Sequence, residues 1–298
     1  MNFFRSFSTK ASLDSAYSPS RHVPDISFYL REYERRSAQA RDALGSCQTF
    51  QYGASRAERL DLFVAPAAGA VSDTVVFIHG GYWQELSKDH HSFPASAFNA
   101  AGVNFAAIGY GLAPQLKPAA MTSQCRTALE WLTTHAGGLS IGQSLHLIGH
   151  SAGAQLAAMT VLMDRRLASR EILPIRSVTT ISGVFDLRPI ALTYVNDVLR
   201  LSEEEALLGS PLLRVDFVQR SLPSFRLAYA EFEPSEFARQ SQEFAAALAA
   251  KGADVEVSCL DDRNHFDIIL DLGDPDSSFF QSVLRHISAR RVAQERPS

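Results

Sequence analysis

Eight short segments constrain this chain most. Residues 47 to 53, 59 to 64, 74 to 79, 104 to 109, 145 to 149, 177 to 182, 224 to 230 and 254 to 259 are apolar or alternating and rich in Val, Ile, Phe and Thr. Such side chains suit the pleated, buried surface of a β-strand. Between the later segments the apolar spacing lengthens to that of a helix, over 119 to 136, 152 to 164 and 235 to 251, with a last helix expected over 276 to 291. An earlier helix is expected over 25 to 44, where Ile26, Phe28 and Tyr29 lead into Arg-, Glu- and Ala-rich turns and Gly45 stops the run. Strands alternating with helices mean an α/β fold: a mostly parallel central sheet of about eight strands with helices on both faces.

A length of 298 residues allows one large α/β domain or two small ones. Glycine and proline punctuate element ends without gathering into a linker, and no repeat is visible, so a single domain over 25 to 298 is expected after a tail over 1 to 24. The first twenty residues carry Arg5 and Lys10 and no acid before Asp14, faintly like a transit peptide, but lack the apolar stretch of a secretory signal. From Arg188 to Ser221 the alternation breaks, with Leu-rich stretches around Glu203 to Glu205. This segment reads either as an insertion that lids a pocket or as an ordinary surface helix pair.

Hydrophobic residues at 46% and charged residues at 20% exclude a disordered or fibrous chain. With 28 Lys and Arg against 32 Asp and Glu, the net charge of −4 offers no grip on phosphate backbones, which removes nucleic acid as a partner. No apolar run approaches the ~20 residues of a bilayer-spanning helix, so no membrane partner is expected either. Cys47, Cys125 and Cys259 are far apart and form no Cys-x-x-Cys pair. They suggest neither a disulfide framework nor a zinc site, and a reducing cytoplasm fits best.

The segment Leu145 to Gly149 runs into His150-Ser151-Ala152-Gly153 and then into the helix-forming run Ala154 to Met159. Gly149-x-Ser151-x-Gly153 is the spacing of a sharp strand-turn-helix that lifts a serine hydroxyl above a sheet, with glycines where strand and helix pass closely. A serine capping a helix gives the same string, so the flanking strand and helix carry the argument. A second motif follows the strand Val75 to Ile78: His79-Gly80-Gly81-Tyr82-Trp83. The double glycine frees consecutive N–H groups to converge where charge grows in a tetrahedral intermediate, and the oxyanion hole is assigned to the N–H groups of Gly80, Gly81 and Ala152.

A serine so placed needs a base, and this fold class orders its triad as serine, acid, histidine. Two histidines lie beyond Ser151: His286, on the amphipathic last helix, and His265, in the polar loop Asp261 to Phe266 just after a strand. His265 stands where a general base belongs, one ring nitrogen toward Ser151 and the other toward a carboxylate. The acid should follow the strand Phe225 to Ala230, which leaves Glu231, Glu233 and Glu236, while Asp186 closes a different strand. Glu231 and Glu233 share a side of an extended segment, so parity does not choose between them.

With these residues in place, the chain resembles the α/β-hydrolase superfamily and, within it, the arylformamidase (kynurenine formamidase) family of serine hydrolases. The resemblance covers nearly the whole length. It rests on Tyr17 to Asp25, Tyr52-Gly53, Leu60 to Phe63, His79 to Gln84, Gly149 to Gly153, Glu236 to Ser241 and His265-Phe266-Asp267. Tyr82 is the most telling of these, because hormone-sensitive-lipase-like esterases usually carry a third glycine there. In the family the triad acid lies three residues before the Glu-Phe-x-Arg-Gln-Ser run, and that position is Glu233. Animal members place Asp there, so Glu233 keeps the charge on a longer side chain. The resemblance implies hydrolysis of N-formylkynurenine to kynurenine and formate. Bacterial relatives of this kind include general esterases, so a short-chain carboxylesterase or thioesterase is the alternative.

The expected chemistry is attack by Ser151 on a small acyl amide or ester, with no metal or organic cofactor required. Tyr82, Trp83 and Phe266 flank the reacting positions and are expected to wall an aryl leaving group, core or rim packing being the other use of such rings. Arg263 or Arg239 is considered for a substrate carboxylate, with an exposed, solvated arginine the preferred reading. A metal-dependent hydrolase built on Asp89, His90, His91 and Asp267 is the remote rival, since adjacent histidines point in different directions. The oligomeric state stays open, a homodimer being one option.

Overall fold

Val75 and Phe77 pack into one apolar layer and Val76 and Ile78 into the other, all four with no solvent exposure. This two-sided burial is why the strand reads as a continuous apolar run. It is the third strand of a computed structural model that describes residues 4–45, 47–66, 73–139, 141–142, 144–162, 173–219 and 221–292. The strands are β1 (Gln48–Gln51), β2 (Arg59–Phe63), β3 (Thr74–Ile78), β4 (Asn104–Ile108), β5 (Leu145–His150), β6 (Ile175–Ile181), β7 (Ser224–Phe232) and β8 (Val255–Asn264). They form one sheet in the order β1-β2-β4-β3-β5-β6-β7-β8. β2 runs antiparallel to both β1 and β4, and every other neighbouring pair is parallel. The eight expected strands are all present in an α/β-hydrolase arrangement.

The helices are α1 (Lys10–Ala16), α2 (Ile26–Leu44), α3 (Ala95–Ala100), α4 (Pro118–Leu139), α5 (Ala152–Leu162), α6 (Asn196–Leu199), α7 (Glu203–Leu208), α8 (Ser235–Ala250) and α9 (Ser278–Val292). Buried side chains of α4, α5 and α8 meet one face of the sheet, and those of α2, α3 and α9 meet the other. Among these described helices none is long and apolar enough to cross a membrane. α3 was not expected, because a six-residue helix is too short to show a helical period.

The segment expected as a tail contains α1, capped at Thr9 by a reciprocal bond pair with Ser12. Leu13 and Tyr17 are buried in the core. Tyr17 is held by its side chain: its hydroxyl donates to Glu236 Oε2 at 2.6 Å and accepts from Gln240 Nε2 at 2.7 Å. The partners lie more than two hundred positions away, so no local pattern could reveal the contact.

Residues 188 to 219 also pack down. Ile190, Val195, Leu199, Leu201, Ala206, Val215 and Val218 all enter the core, and α7 begins at a capping box between Ser202 and Glu205.

Two glycines set the junction of β5 and α5. A Cβ on Gly149 would stand 2.3 Å from the Gly153 carbonyl oxygen, and one on Gly153 would stand 2.0 Å from that of Ile78. Both obstacles are backbone, so neither can rotate away. The Gly153→Ala variant is therefore expected to lose about 3 kcal/mol or more of stability, measured as a lower urea midpoint. An unchanged midpoint would show that α5 can move off β3 at little cost.

Candidate active site

β5 ends at His150 and α5 begins at Ala152, leaving Ser151 alone in the turn with φ +53°. A left-handed serine is uncommon, and strain of this kind collects where a side chain must be aimed. The Ser151 N–H is tied to the Ile181 carbonyl at 2.8 Å, which fixes the turn against β6. Its hydroxyl, 3% exposed as a residue, lies 3.1 Å from His265 Nε2.

His265 follows β8. Asn264 Oδ1 accepts the N–H groups of Phe266 and Asp267, while the Asp267 carboxylate accepts the Asn264 N–H and side-chain amide, closing a tight turn around His265. Burial raises the Asp267 pKa. On the far side of the ring, Nδ1 is 2.7 Å from Glu233 Oε2. An ionised carboxylate only accepts, so Nδ1 carries the proton and Nε2 is left to accept from Ser151. The other Glu233 oxygen accepts the Ala230 N–H at 2.9 Å.

Of the four candidate acids, Glu233 alone reaches the ring. The β7–β8 register shifts between Ala230 and Phe232, and the chain bends at residue 233 before α8. The two glutamates therefore lose the common side that an extended chain would give them. Glu231 is exposed and accepts the Asp262 N–H at 3.0 Å. Glu236 is engaged with Tyr17 and Arg239, and Asp186 with Arg188. His286 contacts Ser224 Oγ at the start of β7, at the opposite end of the parallel strands.

His150 lies behind this group. Its Nε2–H donates to the His265 carbonyl at 2.9 Å, and burial, with the neighbouring histidines, holds its pKa well below the ordinary value. It therefore stays neutral and fixes the backbone of His265.

The His79-Gly80-Gly81 loop leaves β3 directly beside the serine. A Cβ on Gly80 would fall 3.1 Å from Ser151 Cβ, and Gly81 adopts φ +100° against the Glu85 carbonyl. Ala152 is the first residue of α5, where an N–H has no helical partner. Gly80 and Ala152 thus adjoin Ser151, Gly80 across from its Cβ and Ala152 as the next residue in the chain.

A cavity of about 380 Å³ opens onto Ser151 and His265. Tyr82 and Phe266 line it, Tyr82 with its hydroxyl on the Tyr17 carbonyl at 2.6 Å and Phe266 stacked on Tyr29. Trp83 does not line it, which corrects the expected aromatic wall. Its ring is fully buried, and Nε1–H donates to Gln155 at 2.9 Å on α5. Trp83, at φ +61°, has its ring in the core, with its centroid 6.0 Å from that of Tyr82. Pro19, Ser20, Ile26, Leu30, Tyr194 and Val195 complete much of the wall and were not singled out from the sequence. The sequence signals there were the Tyr17 to Asp25 similarity for Pro19 and Ser20 and the broken alternation after Arg188 for Tyr194 and Val195.

Arg239 is bound to Glu236 and Glu243, and Arg263 to Asp271, so neither considered arginine faces the cavity. Among the described residues no three His, Cys, Asp or Glu side chains gather as a metal site. Asp89 pairs with Lys88, His90 with Ser87, and Asp267 with Asn264. His91 is stacked between Phe77 and His79, where burial lowers its pKa to about 3 and that of His79 to about 4.

The BD-FAE family model matches residues 60–231, a span that includes Ser151 and both glycine motifs. The kynurenine formamidase of Danio rerio is 32% identical over 288 residues, covering 94% of this chain and 97% of the relative. The chain belongs to the kynurenine formamidase family. The Salmo salar kynurenine formamidase is likewise 32% identical, over 93% of this chain and 96% of its own. Among solved structures similar to this family member, a candidate thioesterase from Silicibacter sp. TM1040 superposes with a TM-score of 0.78 at 26% identity, over 90% of this chain and 97% of the other. Esterase B from Lactobacillus rhamnosis, at 18% identity and a TM-score of 0.70 over 94% and 98% of the two chains, shares the fold. As a member of the kynurenine formamidase family the protein is a serine hydrolase with the α/β-hydrolase fold.

Proposed function

We propose that the protein is an arylformamidase that cleaves N-formylkynurenine to kynurenine and formate, with Ser151, His265 and Glu233 as its triad. The observation that carries this reading is the unbroken chain of contacts from Ser151 Oγ through the His265 ring to Glu233, at 3.1 and 2.7 Å, beneath a cavity in a chain that is similar to a kynurenine formamidase over 94% of its length.

In this mechanism His265 Nε2 takes the Ser151 hydroxyl proton as Oγ bonds to the formyl carbon. The carbonyl electrons move onto oxygen, where the N–H groups of Gly80, Gly81 and Ala152 receive the charge. Collapse breaks the C–N bond, and His265 returns the proton to the departing arylamine. Water then gives a proton to His265 while its oxygen attacks the formyl ester, and the same proton restores the Ser151 hydroxyl as formic acid leaves. Glu233 holds the ring in the required tautomer and offsets the imidazolium charge. No step routes a proton or electron through a metal or organic cofactor. Tyr82 and Phe266 flank the aryl group, and Tyr194 and Val195 add to the cavity wall. The three free cysteines support a reducing compartment, the cytoplasm.

A short-chain esterase or thioesterase is the second reading. It is favoured by the cavity volume of about 380 Å³, more than a formyl group needs, and by the esterases among the structural neighbours. Comparing kcat/KM for N-formylkynurenine, 4-nitrophenyl acetate and 4-nitrophenyl butyrate separates the two. The formyl substrate is expected to lead by about tenfold or more. A preference for butyrate overturns the formamidase reading in favour of an esterase.

A further inference from the structure

Described cations are absent from the catalytic cavity: no lysine or arginine lines it, and its one fixed charge outside the serine–histidine group is Glu85, at the exposed rim. A carboxylate therefore has no counter-ion there. Behind the His79-Gly80-Gly81 loop lies a second cavity of about 590 Å³, and its charge is of the opposite sign. Arg56, Arg59 and Lys88 line it, with Asp89 the single acid on its wall. Lys88 is already committed to Asp61 and Asp89, at 2.8 and 2.7 Å. Arg56 and Arg59 make no ion pair or side-chain hydrogen bond among the described residues. The nearby Glu58 carboxylate is turned back onto the Ser55 N–H at 2.8 Å.

The position of this cavity matters as much as its charge. It is bounded by His79 at the end of β3 and by Gly109 to Gly111 at the end of β4, and the Gly109 N–H on the Arg59 carbonyl at 2.8 Å fixes Arg59 against that edge. Open α/β sheets bind ligands outside the carboxyl ends of their strands. Leu86 forms part of the wall of both cavities and is held at φ +69°, a conformation that costs a bulky residue energy.

We propose that the cavity lined by Arg56 and Arg59 is a carboxylate-binding subsite of the hydrolase, reached from the catalytic cavity past Leu86. Two planar guanidiniums without carboxylate partners are suited to bidentate capture of that group. The carboxylate has two sources, the free end of an acidic substrate and the acid released by hydrolysis. The proposal rests on the hydrolase reading for that supply.

The test uses Arg56→Gln, the double variant Arg56→Gln/Arg59→Gln, and Arg59→Lys as the conservative control. Inhibition by sodium formate is measured with 4-nitrophenyl acetate as a neutral reporter, and kcat/KM is compared for N-formylkynurenine and its methyl ester. If the released acid is the ligand, the double variant raises the formate inhibition constant about tenfold. If the substrate's own end is the ligand, the preference for the free acid over its ester falls about tenfold, and Arg59→Lys recovers part of it. Changes under twofold in both measurements, in variants with wild-type thermal midpoints, overturn the subsite. Should the double variant be destabilised, exposed Arg56 is read alone by the same criteria. Wild-type failure to turn over any of the substrates overturns the hydrolase reading instead. Calorimetric titration of formate into wild type and variants then decides the subsite without turnover.

Discussion

Replacing Ser151 with Ala removes turnover of every substrate, with a fall in kcat of order 10⁴ or more. The hydroxyl is the one atom that bonds to the acyl carbon in the proposed reaction, and no neighbouring group can take its place. The nearest alternatives are occupied: His150 holds the His265 carbonyl, and Tyr82 holds the Tyr17 carbonyl. The change deletes a single atom in a turn whose backbone is tied to Ile181, so the fold should persist. The measurement is kcat on 4-nitrophenyl acetate together with labelling by a fluorophosphonate, which should modify the wild type and not the variant. Activity within tenfold of wild type would place the nucleophile elsewhere.

The second large effect separates two glutamates only two positions apart. Glu233→Gln should lower kcat by about 10³-fold or more, whereas Glu231→Gln should stay within about twofold. A glutamine at 233 still reaches Nδ1, but it carries no charge to balance the imidazolium. Its amide can also turn its N–H₂ toward the ring, which favours the tautomer with the proton on Nε2, where it blocks acceptance from Ser151. Glu231 has no such connection, since its carboxylate takes the Asp262 N–H at the surface. Equal losses in the two variants, or a larger loss at 231, would reassign the acid.

The difference between these glutamates shows where local reasoning stops. Parity along a strand puts both on one side only while the chain stays extended, and here β7 shifts register after Ala230 and bends at 233. Trp83 illustrates the same limit. Beside Tyr82 in sequence it looks like part of one aromatic wall, yet one residue lines the cavity and the other has its ring on Gln155 in the core. The tail reading fails for a related reason: Tyr17 lies in a Ser-rich stretch near a terminus, and its buried hydroxyl is held by Glu236 and Gln240.

Much was nonetheless readable from residue order. Strand and helix types follow from side-chain shape and apolar period, which are local properties, and two-sided burial writes itself into Val75 to Ile78 as an unbroken apolar run. The elbow is local too, because Gly149 and Gly153 are required by backbone contacts within a few residues or with the adjoining strand. The general base was reachable because few histidines lie downstream of Ser151 and chain order excluded the rest. Which carboxylate meets that histidine, which rings reach the cavity, and which arginines are left without carboxylate partners depend on contacts across long stretches of chain. Such contacts are set by the packing of whole elements, and that packing leaves no periodic trace in any one segment.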